Sequence, residues 1–198
     1  MSRPPFRKIL IANRGEIAIR IARAAAALGI ASVAIHSQDD AASLHVRKAD
    51  EAHALPKAGV PAYLDAARIV ALAQETGCDA VHPGYGFLAE NAGFARAVAG
   101  AGLTFVGPSA EALDLFGDKL KARELALKVG APVIAGATVR SVDEARAFFE
   151  RIKAPIMLKA VSGGGGRGMR AVRSADEIAD AFARCASEAQ SAFGDGSL

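Results

Sequence analysis

An α/β fold, with a parallel sheet covered by helices on both faces and a smaller unit of different build behind it, is what the sequence predicts. Two observations carry this. From Lys8 to Val106, short apolar runs rich in β-branched residues alternate with stretches of helical periodicity. Beyond Gly117 the alternation gives way to two helical stretches, then a strand, a glycine-rich turn and another strand, which is a hairpin pattern.

The elements follow in order. Lys8 to Ala12 (KILIA) is a buried-type strand. Asn13-Arg14-Gly15-Glu16 turns it into a helix on which Ile17, Ile21, Ala24 and Leu28 recur at helical spacing, and Gly29 ends that helix. Ala31 to His36 is the next strand, completing a βαβ unit. A helix over Asp65–Glu75 puts Ile69 and Leu72 inward. Asp79 to His82 is a strand running into Pro-Gly. Phe94 to Ala101 is helical, and Leu103 to Val106 is a strand closed by Gly107-Pro108. The first domain is thus expected over residues 6–117 and the second over 118–198. In the second, helices are expected over Asp118–Val129 and Val142–Lys153, with Ser141 and Glu144 in capping-box spacing. Ile156–Lys159 and Met169–Val172 read as strands around the turn Ser162–Gly168, and Ser174–Ser191 as an amphipathic helix. The final Gly194–Leu198 reads as a loop leading onward, so the chain is expected to stop short of a domain end.

Composition excludes several classes. Hydrophobic residues make up 52% of the 198, which is globular rather than disordered. The 24 basic and 21 acidic side chains leave a net charge of +3, too small for a nucleic-acid footprint, and with no Trp there is no obvious base-stacking platform. No run approaches the ~18 apolar residues of a membrane span, and no secretory signal follows the basic N-terminus. Cys78 and Cys185 lack metal-type spacing and suit a reducing compartment. A cytoplasmic protein is expected, binding neither nucleic acid nor membrane.

Four segments carry chemistry. In Lys159-Ala-Val-Ser-Gly-Gly-Gly-Gly-Arg-Gly-Met169, four consecutive glycines leave backbone N–H groups unshielded, so the loop can wrap a triphosphate, with Lys159 adding a point charge. No Gly-Lys-Ser/Thr follows, so this is not a P-loop. The alternative is a hairpin tip. His82-Pro-Gly-Tyr-Gly-Phe-Leu-Ala-Glu-Asn91 follows a strand at its carboxyl end, where open α/β sheets bind ligands. Tyr85 and Glu90 can project from it, although the segment also reads as a structural turn with Asn91 as a helix cap. The turn at Asn13–Glu16 can bind an anion at a helix N-terminus but lacks a dinucleotide fingerprint. Arg20 and Arg23 share a face of that helix, solvated or at a subunit contact. In Gly117-Asp118-Lys119, Asp118 is a candidate cap, and Lys119 opposes the helix dipole unless an anion offsets it. His36, His45 and His53 are not at metal-ligand spacing and are expected on the surface or in loops.

With these segments in order, the chain resembles the biotin carboxylase family. KILIANRGEIAIRI, AVHPGYGFLAENA, FVGPS, GDK and LKAVSGGGGRGM match its pattern over essentially the whole length. The resemblance implies a Rossmann-like pre-ATP-grasp domain over 6–117 and the first part of an ATP-grasp domain from 118. It implies ATP contacts by Lys119 and Lys159, with Gly163, Gly164, Gly165 and Gly166 as a lid continued by Arg167, Gly168 and Met169. Tyr85, Gly86 and Glu90 would face the bicarbonate and biotin site. Ser162 and Ala89 depart from the common Gly and Ser of the family.

The implied reaction has two steps. Bicarbonate attacks the γ-phosphate of ATP, giving carboxyphosphate and ADP, and the carboxyl group then passes to biotin on a carrier protein. Implied cofactors are ATP, Mg2+ (or Mn2+) and biotin. Implied partners are a biotin carboxyl carrier protein, a carboxyltransferase and a second subunit met through the Arg20 and Arg23 face. In the family the acidic metal ligands come later than residue 198, so none is assigned in this chain, and the chain alone is expected not to turn over. Rival readings are a different ATP-grasp ligase, such as a carbamoyl-phosphate synthase, and a non-catalytic fragment that binds nucleotide or dimerises.

Overall fold

The computed structural model describes residues 6–161 and 168–198. The chain divides into two compact units, Met1–Ala122 and Arg123–Leu198; Gly117 lies just before the division.

The first unit holds β1 (Lys8–Ile11), α1 (Gly15–Ala27), β2 (Ala31–His36), β3 (Glu51–Ala54), α2 (Val60–Tyr63), α3 (Ala66–Glu75), β4 (Ala80–His82), α4 (Ala92–Gly100), β5 (Thr104–Phe105) and α5 (Ala110–Gly117). Its five strands are all parallel, in the order β3-β2-β1-β4-β5. Period-2 alternation sends Leu10, Val33, Ile35 and Val81 to one face, where Ile69, Leu72, Phe94 and Val98 of α3 and α4 cover them. Ile9 and Ile11 point to the other face, against Ile21, Ala18, Ala22 and Ala25 of α1. Helices therefore lie on both faces, as the sequence predicts. The strand order reverses between β1 and β4, whose carboxyl ends adjoin: the Ala12 N–H donates to the His82 carbonyl at 2.9 Å.

Several details differ from what the sequence pattern predicts. Helix α1 buries Ala18, Ile21, Ala22 and Ala25, while Ala24 is exposed and Leu28 is 66% exposed. The buried stripe is thus rotated, because small alanines rather than the bulkiest side chains let the helix lie close on the sheet. Strand β3 has no counterpart among the predicted elements: Glu51-Ala-His-Ala is an edge strand with little apolar signal. Helix α5, which Ser109 caps, is likewise absent from the predicted elements, and it buries no residue. His45 is not on the surface. It is 2% exposed, its Nε2 donates to the Ile35 carbonyl at 3.1 Å, and burial holds it below the usual imidazole range.

Asn91 is the cap of α4, its Oδ1 accepting from the Phe94 N–H at 2.8 Å. Asn91→Ala should lower stability by about 1 kcal/mol, measured by denaturant unfolding; an unchanged midpoint would contradict the cap's importance.

In the second unit, β6 (Ile156–Lys159) and β7 (Met169–Val172) form an antiparallel pair, with α7 (Val142–Ile152) and α8 (Ile178–Phe193) beside it. Helix α6 (Lys119–Lys128) spans the division. Ile156, Leu158 and Val172 pack with Ala145, Ile178, Ala181 and Cys185. Ser141 caps α7, accepting from the Glu144 N–H at 3.2 Å, while Glu144 reaches back to the Arg140 N–H at 2.7 Å. Gly194–Leu198 is tied down locally: Leu198 is buried, and its carbonyl accepts from the Val139 N–H at 2.8 Å.

Candidate active site

In the first unit, the segment after β4 stands at the point where the strand order reverses, the crevice that open α/β sheets use for ligands. Its backbone is unusual. Gly84 and Gly86 have φ of +66°, and Phe87, which is not glycine, has φ of +42°. Burial lowers the pKa of His82, and its Nδ1 accepts from the Gly84 N–H at 3.0 Å. Leu88 is buried and anchors the segment. Tyr85 is 64% exposed, and Gly86 and Glu90 are exposed as well. The fold thus presents a phenol and a carboxylate on a shaped loop instead of consuming them in packing.

The loop is held by the Asn13–Glu16 turn, which the sequence singles out for an anion, and by Asp40 and Tyr63, which it does not single out. Asn13, at the carboxyl end of β1, donates through Nδ2 to the Pro83 carbonyl at 2.7 Å and the Tyr85 carbonyl at 2.8 Å. Phe87 stacks on Tyr63 with ring centroids 5.2 Å apart. The Tyr63 hydroxyl donates to Asp40 at 2.8 Å and accepts from the Ser37 N–H at 3.1 Å. Arg14 grips Asp40 through Nε at 2.5 Å and Nη2 at 2.6 Å, a bidentate pair. Ser43 also donates to Asp40, at 3.1 Å. The Asn13–Glu16 turn therefore commits its arginine to a carboxylate. The local hint is the position of the turn after a strand; Asp40 and Tyr63 join it only through the fold.

The Arg14 guanidinium holds the Asp40 carboxyl well below the usual carboxylate range, against the opposing effect of burial. A folded-state pKa below the unfolded value means a contribution that is complete above about pH 4 and is lost as pH falls through the folded value. The stability gap between the wild type and Asp40→Asn should therefore shrink in acid below about pH 4. Urea melts from about pH 2.5 to about pH 7 test this linkage; a constant gap would refute it.

Lys119 opens α6 and is exposed; Asp118 caps that helix, its Oδ1 accepting from the Leu120 and Lys121 N–H groups at 2.9 and 3.1 Å. In the second unit, Lys159 pairs with Met169 across the β6–β7 ladder. Both lie on the exposed face of the hairpin with Met157, which is 50% exposed. A cation beside polarisable apolar side chains suits a nucleotide, with charge for phosphate and flat apolar contact for a base. Gly168 has φ of +67°, and a Cβ there would meet the Ala160 Cβ at 3.2 Å. Ser162, Gly163, Gly164, Gly165, Gly166 and Arg167 lie outside the described residues. Arg20 and Arg23 are exposed on α1, Arg20 beside Glu16 at 3.6 Å. Among the described residues, no three His, Cys, Asp or Glu side chains are placed to hold a metal ion, and no helix is long and apolar enough to cross a membrane.

Comparison with known proteins decides the family. The model for the biotin carboxylase N-terminal domain matches residues 5–113, more than half of the chain. The chain belongs to the biotin carboxylase family. The model for the carbamoyl-phosphate synthase L chain ATP-binding domain matches residues 118–198. Pyruvate carboxylase of Schizosaccharomyces pombe is 51% identical over 199 residues, covering 98% of this chain and 17% of that protein. Pyruvate carboxylase of Staphylococcus aureus is 52% identical over 193 residues, covering 96% of this chain and 17% of that protein. Among solved structures, biotin carboxylase of Campylobacter jejuni, complexed with a β,γ-ATP ligand, superposes with a TM-score of 0.91 at 39% identity, covering 97% of this chain and 44% of that one. The Hydrogenobacter thermophilus 2-oxoglutarate carboxylase biotin carboxylase domain dimer, with MgADP, ADP and bicarbonate, gives 0.89 at 44% identity, covering 98% and 43%. The chain thus spans about a sixth of the length of these curated relatives and matches the N-terminal part of biotin carboxylase domains in biotin-dependent, ATP-dependent ligases.

Proposed function

We propose that this chain contributes the first half of a site that carboxylates carrier-bound biotin with bicarbonate and ATP. The observation that carries the reading is the clamped loop after β4, which presents Tyr85, Gly86 and Glu90 where the strand order reverses. Bicarbonate oxygen attacks the γ-phosphorus, giving carboxyphosphate and ADP. Carboxyphosphate then yields its carboxyl group to a biotin ureido nitrogen and releases phosphate. In the second unit Lys159 offers positive charge to nucleotide phosphate and Met169 offers apolar contact; Lys119 of the first unit, and Gly163, Gly164, Gly165 and Gly166, which lie outside the described residues, are assigned to ATP on the family resemblance alone. Tyr85 and Glu90 line the bicarbonate and biotin end. Mg2+ (or Mn2+) would neutralise phosphate charge, but the described residues do not fit a metal site, so no step is assigned to it. The carrier protein, a carboxyltransferase and a second subunit meeting Arg20 and Arg23 complete the reading; the Hydrogenobacter relative is described as a dimer. A cytoplasmic location belongs to the same proposal, although the rat relative is named as mitochondrial.

The decisive test is titration of the isotopically labelled chain with bicarbonate and with free biotin, followed by backbone NMR. Shifts concentrated at Tyr85–Glu90 are expected; shifts elsewhere or none would overturn the site. In the same preparation, bicarbonate- and biotin-dependent ATP hydrolysis should stay at background. Clear turnover would refute the claim that this chain carries only half of the site.

A further inference from the structure

We propose that Asn13 is a positioning residue whose carboxamide fixes where Tyr85 and Glu90 are presented. The importance of that placement for carboxylation rests on the function proposed above; the positioning itself does not.

Asn13 is almost fully buried, and its amide group is used from both ends. Both Nδ2 hydrogens are donated, to the carbonyls of Pro83 and Tyr85 at 2.7 and 2.8 Å. Its Oδ1 accepts from the Arg14 N–H at 2.9 Å. Rotating the amide by half a turn would set an oxygen against two carbonyl oxygens and an NH2 group against an N–H, so only one orientation satisfies the neighbours. The residue it grips is matched to it. A Cβ on Gly84 would lie 2.7 Å from the Asn13 Nδ2, and Gly84 already has φ of +66°. Position 84 must therefore be glycine for the clamp to close, and position 13 must be a double donor for the turn to stay closed. The clamp runs between the carboxyl ends of β1 and β4, joining the two halves of the sheet where their order reverses. The other holds on the loop, Phe87 on Tyr63, buried Leu88 and the Gly84 N–H on His82 Nδ1, leave the Pro83 and Tyr85 carbonyls to Asn13.

Asn13→Asp separates positioning from bulk. The carboxylate keeps the size of Asn but repels both carbonyls; protonated, it returns one donor. Loop order in the variant should thus gain a pH dependence beyond that of the wild type, in which His82, whose Nδ1 accepts from the Gly84 N–H, is the titratable group of the loop. The reporters are the Ala89 and Asn91 amides, which donate within the loop at 2.8 and 3.1 Å, with Leu10 and Val33 as core references. Hydrogen exchange by NMR on the 198-residue chain, corrected for intrinsic rates, is the measurement. We expect Asn13→Asp at neutral pH to lose at least about tenfold in Ala89 and Asn91 protection, with Leu10 and Val33 unchanged. Part of the loss should be recovered as the new carboxyl protonates, read as the difference from the wild type at each pH, because protonation of His82 acts on both chains alike. Gly84→Ala, which presses on the same amide from the loop side, should produce the same local loss without the pH dependence. Equal loop protection in wild type and Asn13→Asp, or loss of core protection in both variants, overturns the proposal. Bicarbonate and biotin titrations distinguish the two readings. A wild type that does not respond to either ligand, alongside loop loss in Asn13→Asp, removes the carboxylation reading and leaves the positioning role standing.

Discussion

Asp40→Ala should destabilise the first unit by about 3 kcal/mol, the lower end of what loss of one partner costs in a buried pair. The carboxylate is nearly buried and accepts from Arg14, Tyr63 and Ser43. Without it, the Tyr63 hydroxyl loses its acceptor inside the core and Arg14 loses a bidentate partner. Because Arg14 is half exposed and can turn to water, the upper end of the range does not apply. By calorimetry the transition of this unit should fall by about 10 °C. Asp40→Asn should recover part of the loss by keeping a hydrogen-bond acceptor. A shift within experimental error for Asp40→Ala would mean that the network adds nothing to the stability of this unit.

Lys159→Ala should weaken ATP binding by about tenfold to a hundredfold, the loss expected of a charge-assisted contact to phosphate. Isothermal titration at low and physiological salt would measure it. The loss should be larger at low salt, because Lys159 is exposed and screened by ions. Lys159→Arg should retain part of the affinity, since the charge remains while the geometry of the donor changes. Equal binding by wild type and Lys159→Ala would move the nucleotide away from the hairpin. The Lys119→Ala variant is the natural companion, as it separates a contribution from the start of α6.

Elements with strong local chemistry are legible in the amino-acid pattern itself. The strands at Lys8, Ala31, Ile156 and Met169 declare themselves through β-branched and apolar runs, and three helix starts through Asn91, Asp118 and Ser141. What escapes the pattern has a common physical cause. Strand β3, Glu51-Ala-His-Ala, is an edge strand with too few apolar residues to leave a period in the sequence. Periodicity misplaces the stripe of α1 because it weighs side-chain size, whereas close packing on a sheet selects alanine. His45 is a core residue by virtue of a carbonyl on β2. The loop residues Tyr85, Gly86 and Glu90 and the Asn13–Glu16 turn stand out in the sequence, but their pairing does not, nor do Asp40 and Tyr63. Asn13 meets the loop backbone across 70 and 72 residues of chain, and Asp40 meets Tyr63 across 23. Contacts of that separation are set by strand order, which no local pattern encodes.

The exposed face of the β6–β7 hairpin carries Met157 and Met169, 50% and 41% open to solvent, on either side of the Lys159 position. Thioethers so placed are the first groups that a mild peroxide would convert to sulfoxides, which are polar and bulkier. Oxidative damage would therefore reach the proposed nucleotide face before it reached the core of either unit. The same sensitivity makes the face self-reporting. A bound adenine nucleotide should slow sulfoxide formation at these two positions, and mass spectrometry would read that protection peptide by peptide.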